Sequence, residues 1–504
     1  MAFGKTLVLS LQSLSPMFAA VEVEVISREL AEGREVHLLT CGERLPTCSL
    51  NPTHNLLGCA TCQHRSVHFA ERAGVPRTNF HRLDPRLFPS RFTGVMPANL
   101  TELLELEHNG FNIGRGAASS SITILREYNV DPQGEHRELV ELELRTSIGA
   151  LLNYEKILDQ LQPERVYLFN GRHSELFPMV DLCRQRGIWF ACEERGANDQ
   201  RYHLFKNNLP HSIKSRRETM EELWAAADAT QKAAKASDWY ERKRKGVAKD
   251  DRSYIDGQEQ GALPVNWKAN RHNIVVFNSS EDEMKTIREW DTDLFDNQND
   301  VILGVAESLR EREDIHLYVR MHPNLAVVDN QQTQQLYSLA QKNVTVIGPR
   351  EKIDSYHLSE AADVILTFAS TIGIEATYWG TASVLYGRAL YEDMGATYEP
   401  KSFAELLQNL MQRGLPPKPR ENTFIYGYFV SHYGEAFQFA EVRTPADVTL
   451  LGEPVRRMTL PAFLKFLGYL PQIGRWRRTH KIITGSQLKL SQLTKLYSHL
   501  REKA

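Results

Sequence analysis

The chain has 504 residues, 42% apolar and 24% charged, with a formal net charge of −3. That length exceeds one ordinary core and predicts two large domains plus appendages. The composition is globular, and the near-neutral charge argues against a dedicated nucleic-acid binder, so no nucleic-acid partner is expected. No run of about 18 apolar residues is present, which excludes a membrane-spanning helix as a sequence reading. The stretch MAFGKTLVLSLQSLSP lacks a separate apolar region followed by small residues, so 6–11 reads as a buried first strand rather than a signal peptide. The expected location is the cytoplasm.

In chain order the first half reads as strand 6–11, helix 19–32 and strand 35–39, the opening of an α/β unit. Four cysteines follow, Cys41, Cys48, Cys59 and Cys62, with Cys59-Ala60-Thr61-Cys62 spaced like half of a metal knuckle. The expectation is one structural site, a zinc or a redox pair, with His54 or His64 as substitute ligands. The plain alternative is thiols packed as small apolar groups. A helix spans 135–161. Strand 166–169 ends in Asn170-Gly171-Arg172, and strand 188–192 ends in Glu193-Glu194-Arg195-Gly196. Polar, glycine-containing segments at the carboxyl ends of parallel strands are where ligands bind in open α/β sheets.

Residues 232–268 are polar, beginning as helix and ending as a linker, with the domain junction expected near 257–267. A second α/β series follows, with strands at 273–277, 315–320, 344–347, 364–367 and 383–385 and helices at 301–312 and 402–413. Three of these strands end in functional residue types: Asn278-Ser279-Ser280, Arg320-Met321-His322-Pro323, and Ser370-Thr371-Ile372-Gly373-Ile374-Glu375. Hydroxyls, an imidazole, a guanidinium and the N–H groups of a starting helix suit a phosphate ester. Glu375, one turn in, suits ribose hydroxyls. An ordinary capped helix after Thr371 and a strand-ending His-Pro turn are the plain alternatives.

Two α/β halves carrying Arg-x-His-Pro and Ser-Thr-x-Gly-x-Glu resemble GT-B glycosyltransferases, and among them the bacterial groups that build capsules, O-antigens and other surface polysaccharides. The His-Pro and Ser-Thr motifs are similar to those with which sialyl- and Kdo-transferases hold a CMP-sugar. CDP-glycerol polymerases share a like arrangement. The resemblance implies two Rossmann-like domains with parallel sheets facing a cleft: residues 1–265 on the acceptor side, and 266–425 for the nucleotide-sugar. A helical crossover at 426–454 and a basic aromatic tail at 455–504 complete it. It implies a metal-independent, inverting transfer to a glycan or lipid-linked acceptor, and it favours a CMP-sugar donor. Glu194 is the implied base, with Glu193 second and Arg172 beside them. Here an Arg precedes the glycine of the acidic motif. Ser279, Ser280, Arg320, His322, Ser370, Thr371, Gly373 and Glu375 are the implied nucleotide ligands. The alternatives are surface ion pairs for Glu193, Glu194 and Arg172, and, for the whole chain, a nucleotide-sugar epimerase or a non-catalytic sugar-nucleotide binder.

The last fifty residues hold eleven Lys and Arg against one Glu, interleaved with aromatics such as Trp476 in Arg475-Trp476-Arg477-Arg478. Such a segment suits an anionic membrane face, placing the protein peripherally on the inner face of the cell membrane. A solvated or packed basic tail is the alternative.

Overall fold

A computed structural model describes residues 4–247, 255, 257–279, 284–339, 341–456 and 459–484. The chain forms two compact units, Met1–Pro210 with Gly434–Ala504, and His211–Tyr433.

The first unit opens with β1 (Lys5–Leu9), α1 (Pro16–Ala31) and β2 (Glu35–Thr40), with β1 and β2 parallel. Pro16 sits in the first turn of α1, where a missing N–H costs nothing. Then come α2 (Leu56–Ala73), β3 (Phe80–Arg82), α3 (Leu100–Leu104), the short ladder β4 (Glu107–His108) and β5 (Phe111–Asn112), α4 (Gly114–Leu125) and α5 (Arg137–Leu161). β6 (Arg165–Phe169), α6 (Phe177–Arg186), β7 (Trp189–Arg195) and β8 (Arg201–Lys206) follow. β7 does not stop at residue 192 as the apolar run suggests. It continues through Glu193 and Glu194, which pair with Leu204 and His203 of antiparallel β8. Strand alternation therefore sends the two carboxylates to opposite faces.

The second unit starts earlier than the composition indicates. The polar stretch from Lys232 hides a core helix: α7 (Ile213–Ala226) and α8 (Lys232–Arg244) belong to this unit. Trp239 and Tyr240 of α8 are buried in one cluster with Tyr378, Tyr426 and Phe429. Tyr240 stacks on Tyr378 at 4.0 Å and donates to the Thr423 carbonyl at 2.8 Å. The division therefore falls at Pro210, not near residue 265. β9 (His272–Phe277), α9 (Gln298–Ser308), β10 (Ile315–Arg320), α10 (Gln331–Tyr337), β11 (Val344–Ile347), α11 (Ser355–Ala361), β12 (Val364–Thr367), α12 (Ile372–Trp379), β13 (Ala382–Leu385), α13 (Phe403–Met411) and α14 (Phe424–His432) complete it. Its sheet is wholly parallel, in the order β11-β10-β9-β12-β13. Strands β9, β10, β12 and β13 are buried along their whole length, which accounts for their largely apolar composition, although His272, Asn273, His316 and Arg320 are buried there too.

The chain then returns to the first unit, but not as a helical crossover over 426–454. The helix ends at His432, and β14 (Glu435–Ala436) pairs antiparallel with β8. β15 (Ala440–Thr444), β16 (Asp447–Leu450) and β17 (Glu453–Pro454) form a small antiparallel sheet. Its alternating Ala440, Val442, Val448 and Leu450 cover Met17, Ala20 and Val23 of α1. α15 (Leu460–Tyr469) and α16 (Ile473–Thr484) follow. With β14 added, the large sheet has the order β14-β8-β7-β6-β1-β2-β3. Residues 485–504 of the basic tail lie outside the described residues.

Candidate functional site

In the second unit the connections from β9 run to one side and β12 opens the other, so the topological switch lies between β9 and β12. Ligands of open α/β sheets bind at that position, beyond the carboxyl ends of the strands. The loops that meet there are laced together. The Ser279 hydroxyl accepts from the Ala369 N–H at 3.2 Å, and Gln298 clamps the Ser279 backbone through both its amide groups, at 2.9 and 2.7 Å. Asn278 Oδ1 accepts from the His322 N–H at 2.7 Å, which ties in the loop after β10. His322 Nδ1 accepts from the Asn324 N–H at 3.1 Å. The proton of the neutral ring is thereby directed to Nε2, its donor edge.

The turn between β12 and α12 answers to its sequence. Thr371 is the N-cap residue but makes no cap hydrogen bond. Its hydroxyl instead donates to Glu375 Oε1 at 2.7 Å. Among the described residues no side chain caps the first turn of α12, and of its N–H groups that of Gly373 donates to the Ser370 carbonyl at 3.1 Å; a helix start of this kind favours negative charge. A Cβ at Gly373 would lie 2.3 Å from the Tyr391 hydroxyl and 2.7 Å from Thr367 Oγ1. The bare glycine lets Tyr391 reach under the turn and donate to the Ser370 carbonyl at 2.6 Å.

Two sequence-predicted ligands have other duties. Glu375 is buried, with Oε1 taken by Thr371 and by Lys243 Nζ at 3.1 Å and Oε2 by the Tyr356 hydroxyl at 2.5 Å. It braces the turn from within and does not present a carboxylate to a ribose. Arg320 is buried too, donating to the Gly348 carbonyl at 2.6 Å and the Glu351 carbonyl at 3.1 Å. It supports the loop after β11 rather than facing an anion. Ser280 lies outside the described residues.

A cavity of about 210 Å³ opens at this switch point, lined among others by Ser279, Lys285, Trp290, Phe295, Phe368 and Arg388. The aromatic walls suit a nucleotide's base, while the two cations share the lining with Asp291 and Asp296. Trp290 is fixed by its indole N–H on the His211 carbonyl at 2.8 Å, and Arg388 by its fork on Glu392. Sequence reasoning missed Lys285, Trp290, Phe295 and Arg388, because they stand in irregular segments with no periodicity to mark them.

The first unit has its own switch point, between β6 and β1. Beyond β6 the backbone turns left-handed at Asn170 and Gly171, with φ of 51° and 84°. A Cβ at Gly171 would press within 2.7 Å of Cys192 Sγ. Asn170 Nδ2 donates to Glu194 Oε2 at 2.8 Å, and the Arg195 N–H to Glu194 Oε1 at 3.1 Å. Arg195 itself pairs with Asp199 at 2.8 Å. Glu193 is 1% exposed and neither of its oxygens has a hydrogen-bond partner among the described residues. Burial first, then the charges of Glu22 and Glu194, hold its pKa well above the usual carboxylate range. Glu22, gripped by the Ser10 and Ser13 hydroxyls at 2.5 Å each, is pushed by burial to about 7. The geometry thus separates the two neighbours: Glu193 is buried where the neutral carboxyl is favoured, and Glu194 is half-buried and oriented. Arg172, also buried, donates to Ser119 at 2.9 Å and Thr123 at 3.0 Å on α4.

The four cysteines do gather, with His54, around one small cavity of about 20 Å³. They are free thiols. Among the described residues no group of three or more His, Cys, Asp or Glu side chains has a metal-holding arrangement. Burial pushes Cys41 up to about 11 and Cys59 up to about 12. Cys41 and Cys59 accept from Gln63 and Asn51, at 3.4 and 3.3 Å. His64 lines a different cavity with His68 and Glu453.

Residues 219–415 match the model of a family described as capsule polysaccharide biosynthesis protein. The capsule-type resemblance holds over this segment. It contains α8, all five strands of the second sheet and the cavity at their switch point. No curated protein matches the chain. Among solved structures, the β-Kdo 2,4 transferase of Thermosulfurimonas dismutans aligns at 16% identity and TM-score 0.37, covering 52% of this chain and 78% of that one. The β-Kdo 2,7 transferase of the same organism aligns at 13% and 0.33, covering 55% and 80%. The UDP-GlcNAc 2-epimerase of Neisseria meningitidis aligns at 9% and 0.30, covering 84% and 97%.

Proposed function

We propose that the protein is a glycosyltransferase of capsule or related surface-polysaccharide assembly. It takes a sugar from a nucleotide-sugar, with a CMP-sugar favoured by the motif resemblance, and passes it to a glycan or lipid-linked acceptor. The observation that carries this reading is the second unit's switch point. A cavity lined by Ser279, Trp290, Phe295, Phe368 and the cations Lys285 and Arg388 opens there, within a segment that matches the capsule-family model, and the loops carrying His322 and the start of α12 leave the same sheet edge.

In the proposed reaction the acceptor hydroxyl oxygen attacks the anomeric carbon while the bond from that carbon to the phosphate oxygen breaks. The nucleotide leaves with the electron pair, and the stereochemistry inverts. His322 and the N-terminus of α12 receive the charge that develops on the departing phosphate. Glu194, held by Asn170, takes the acceptor proton. Glu193 is the second choice for that role, being buried, with its pKa raised first by that burial.

Thermal stabilisation by CMP, CDP, UDP and GDP tests the donor half, since a ligand bound only to the native state raises its stability. CMP is expected to stabilise most; no stabilisation by any of them would refute the nucleotide site. Nucleotide release from the donor that depends on an added acceptor glycan identifies transfer. Release without net transfer, together with a changed sugar configuration, would point to an epimerase.

A further inference from the structure

We propose that α15 and α16 form an interfacial foot by which the first unit docks on an anionic lipid surface. Within eleven residues Leu460, Phe463, Leu464, Leu467 and Leu470 are 71, 41, 58, 43 and 40% exposed. The other strongly exposed large apolar residues among those described, Val95, Val247, Val265, Tyr337 and Phe403, are scattered singly along the chain. Scattered exposure is ordinary, whereas a contiguous apolar patch marks an interaction surface. The spacing is helical: 460, 463, 464 and 467 share one face, and 462, 465, 466 and 469 the opposite one. Ala462 is buried on that second face, against α2. The helix is therefore apolar on both sides, one packed on the protein and one bare.

Charge selects the occupant. Residues 459–484 contain no Asp or Glu, and Arg477, Arg478 and Lys481 of α16 are exposed. Arg475 anchors α16 instead, donating to the Arg44 and Glu43 carbonyls at 3.0 and 3.3 Å. Apolar side chains that can enter the acyl boundary, followed in the chain by exposed cations that can meet headgroups, fit an anionic bilayer. A second copy docked by a two-fold axis would set these same cations against each other, which disfavours self-association through this face. Among the described residues no helix is long and apolar enough to cross a membrane, so the foot lies on the surface.

The test is co-sedimentation of the full chain with phosphatidylcholine vesicles containing about 30% phosphatidylglycerol, against pure phosphatidylcholine. The anionic vesicles should capture the protein at least about tenfold better, and raising salt to about 0.5 M should remove most of that advantage. Leu464→Ser/Leu467→Ser and, separately, Arg477→Glu/Arg478→Glu change only exposed positions. Each should lower capture about tenfold with the circular dichroism spectrum and Tm unchanged. Equal capture by both vesicle types, or variants that bind like the parent, would overturn the proposal. So would a concentration-dependent dimer that Leu464→Ser/Leu467→Ser disperses, which would assign the face to a second copy.

Discussion

The Tyr391 hydroxyl holds the Ser370 carbonyl at 2.6 Å, and it reaches that position only because residue 373 has no side chain. Gly373→Ala puts a methyl group 2.3 Å from that hydroxyl and should shift the whole turn at the start of α12. The expected cost is about 1–3 kcal/mol of stability and at least a tenfold loss of nucleotide affinity. Adding Tyr391→Phe should recover part of the stability. Tm and nucleotide titrations on the single and double variants check this; a Gly373→Ala protein with parental affinity would show that the turn does not hold the ligand.

Lys243 and Glu375 form a buried ion pair at 3.1 Å beneath the same turn. Lys243→Met strands the Glu375 carboxylate and should cost roughly 3 kcal/mol or more, read as a fall in Tm. Lys243→Met/Glu375→Gln should be milder than the first change alone. A Lys243→Met protein of unchanged Tm would contradict the bracing role.

Much of this was legible beforehand. Predominantly apolar runs mark β10, β11 and β12 at their observed bounds, most plainly β12, which is buried along its whole length. The His-Pro and Ser-Thr turns were legible as the ends of such runs. What escaped was partnership. Glu375 looks like a ligand until Lys243, 132 positions earlier, closes on it from the helical start of a polar stretch with no mark of a core element. Trp239 and Tyr240 lie among Lys, Asp and Arg, so local polarity hid their burial. The alternation at Ala440, Val442, Val448 and Leu450 was visible in the sequence but is too short to outweigh the expectation of a helix.

Glu143 is buried, accepts from the Ser174 hydroxyl at 2.5 Å and is pushed by burial to about 8. Unfolded, it would titrate near 4.3, so the unfolded state releases its proton first as pH rises. Its contribution to stability therefore declines between about pH 4 and pH 8 and is level above. Glu143→Gln removes that decline. The Tm of the variant relative to the parent should rise steadily from about pH 5 to about pH 8. A constant or falling difference would show that the carboxyl is ionised in the native state.

The thiols around the 20 Å³ cavity should be slow to alkylate at neutral pH, since burial keeps Cys41 and Cys59 protonated. Mild denaturant should expose them together. Elemental analysis of protein purified without chelator that found one zinc per chain would contradict the packed-thiol account.

The central claim is a division of labour: Glu194 acts on the acceptor, and His322 with the start of α12 holds the nucleotide. The most direct measurement is turnover and nucleotide affinity for Glu194→Gln and His322→Ala in parallel. Glu194→Gln keeps the hydrogen bond to Asn170 within reach while removing basicity. Its turnover should fall by about two to four orders of magnitude with nucleotide affinity within about twofold of the parent. His322→Ala should lose both. A Glu194→Gln protein with parental turnover, or a His322→Ala protein with parental nucleotide affinity, would contradict the account.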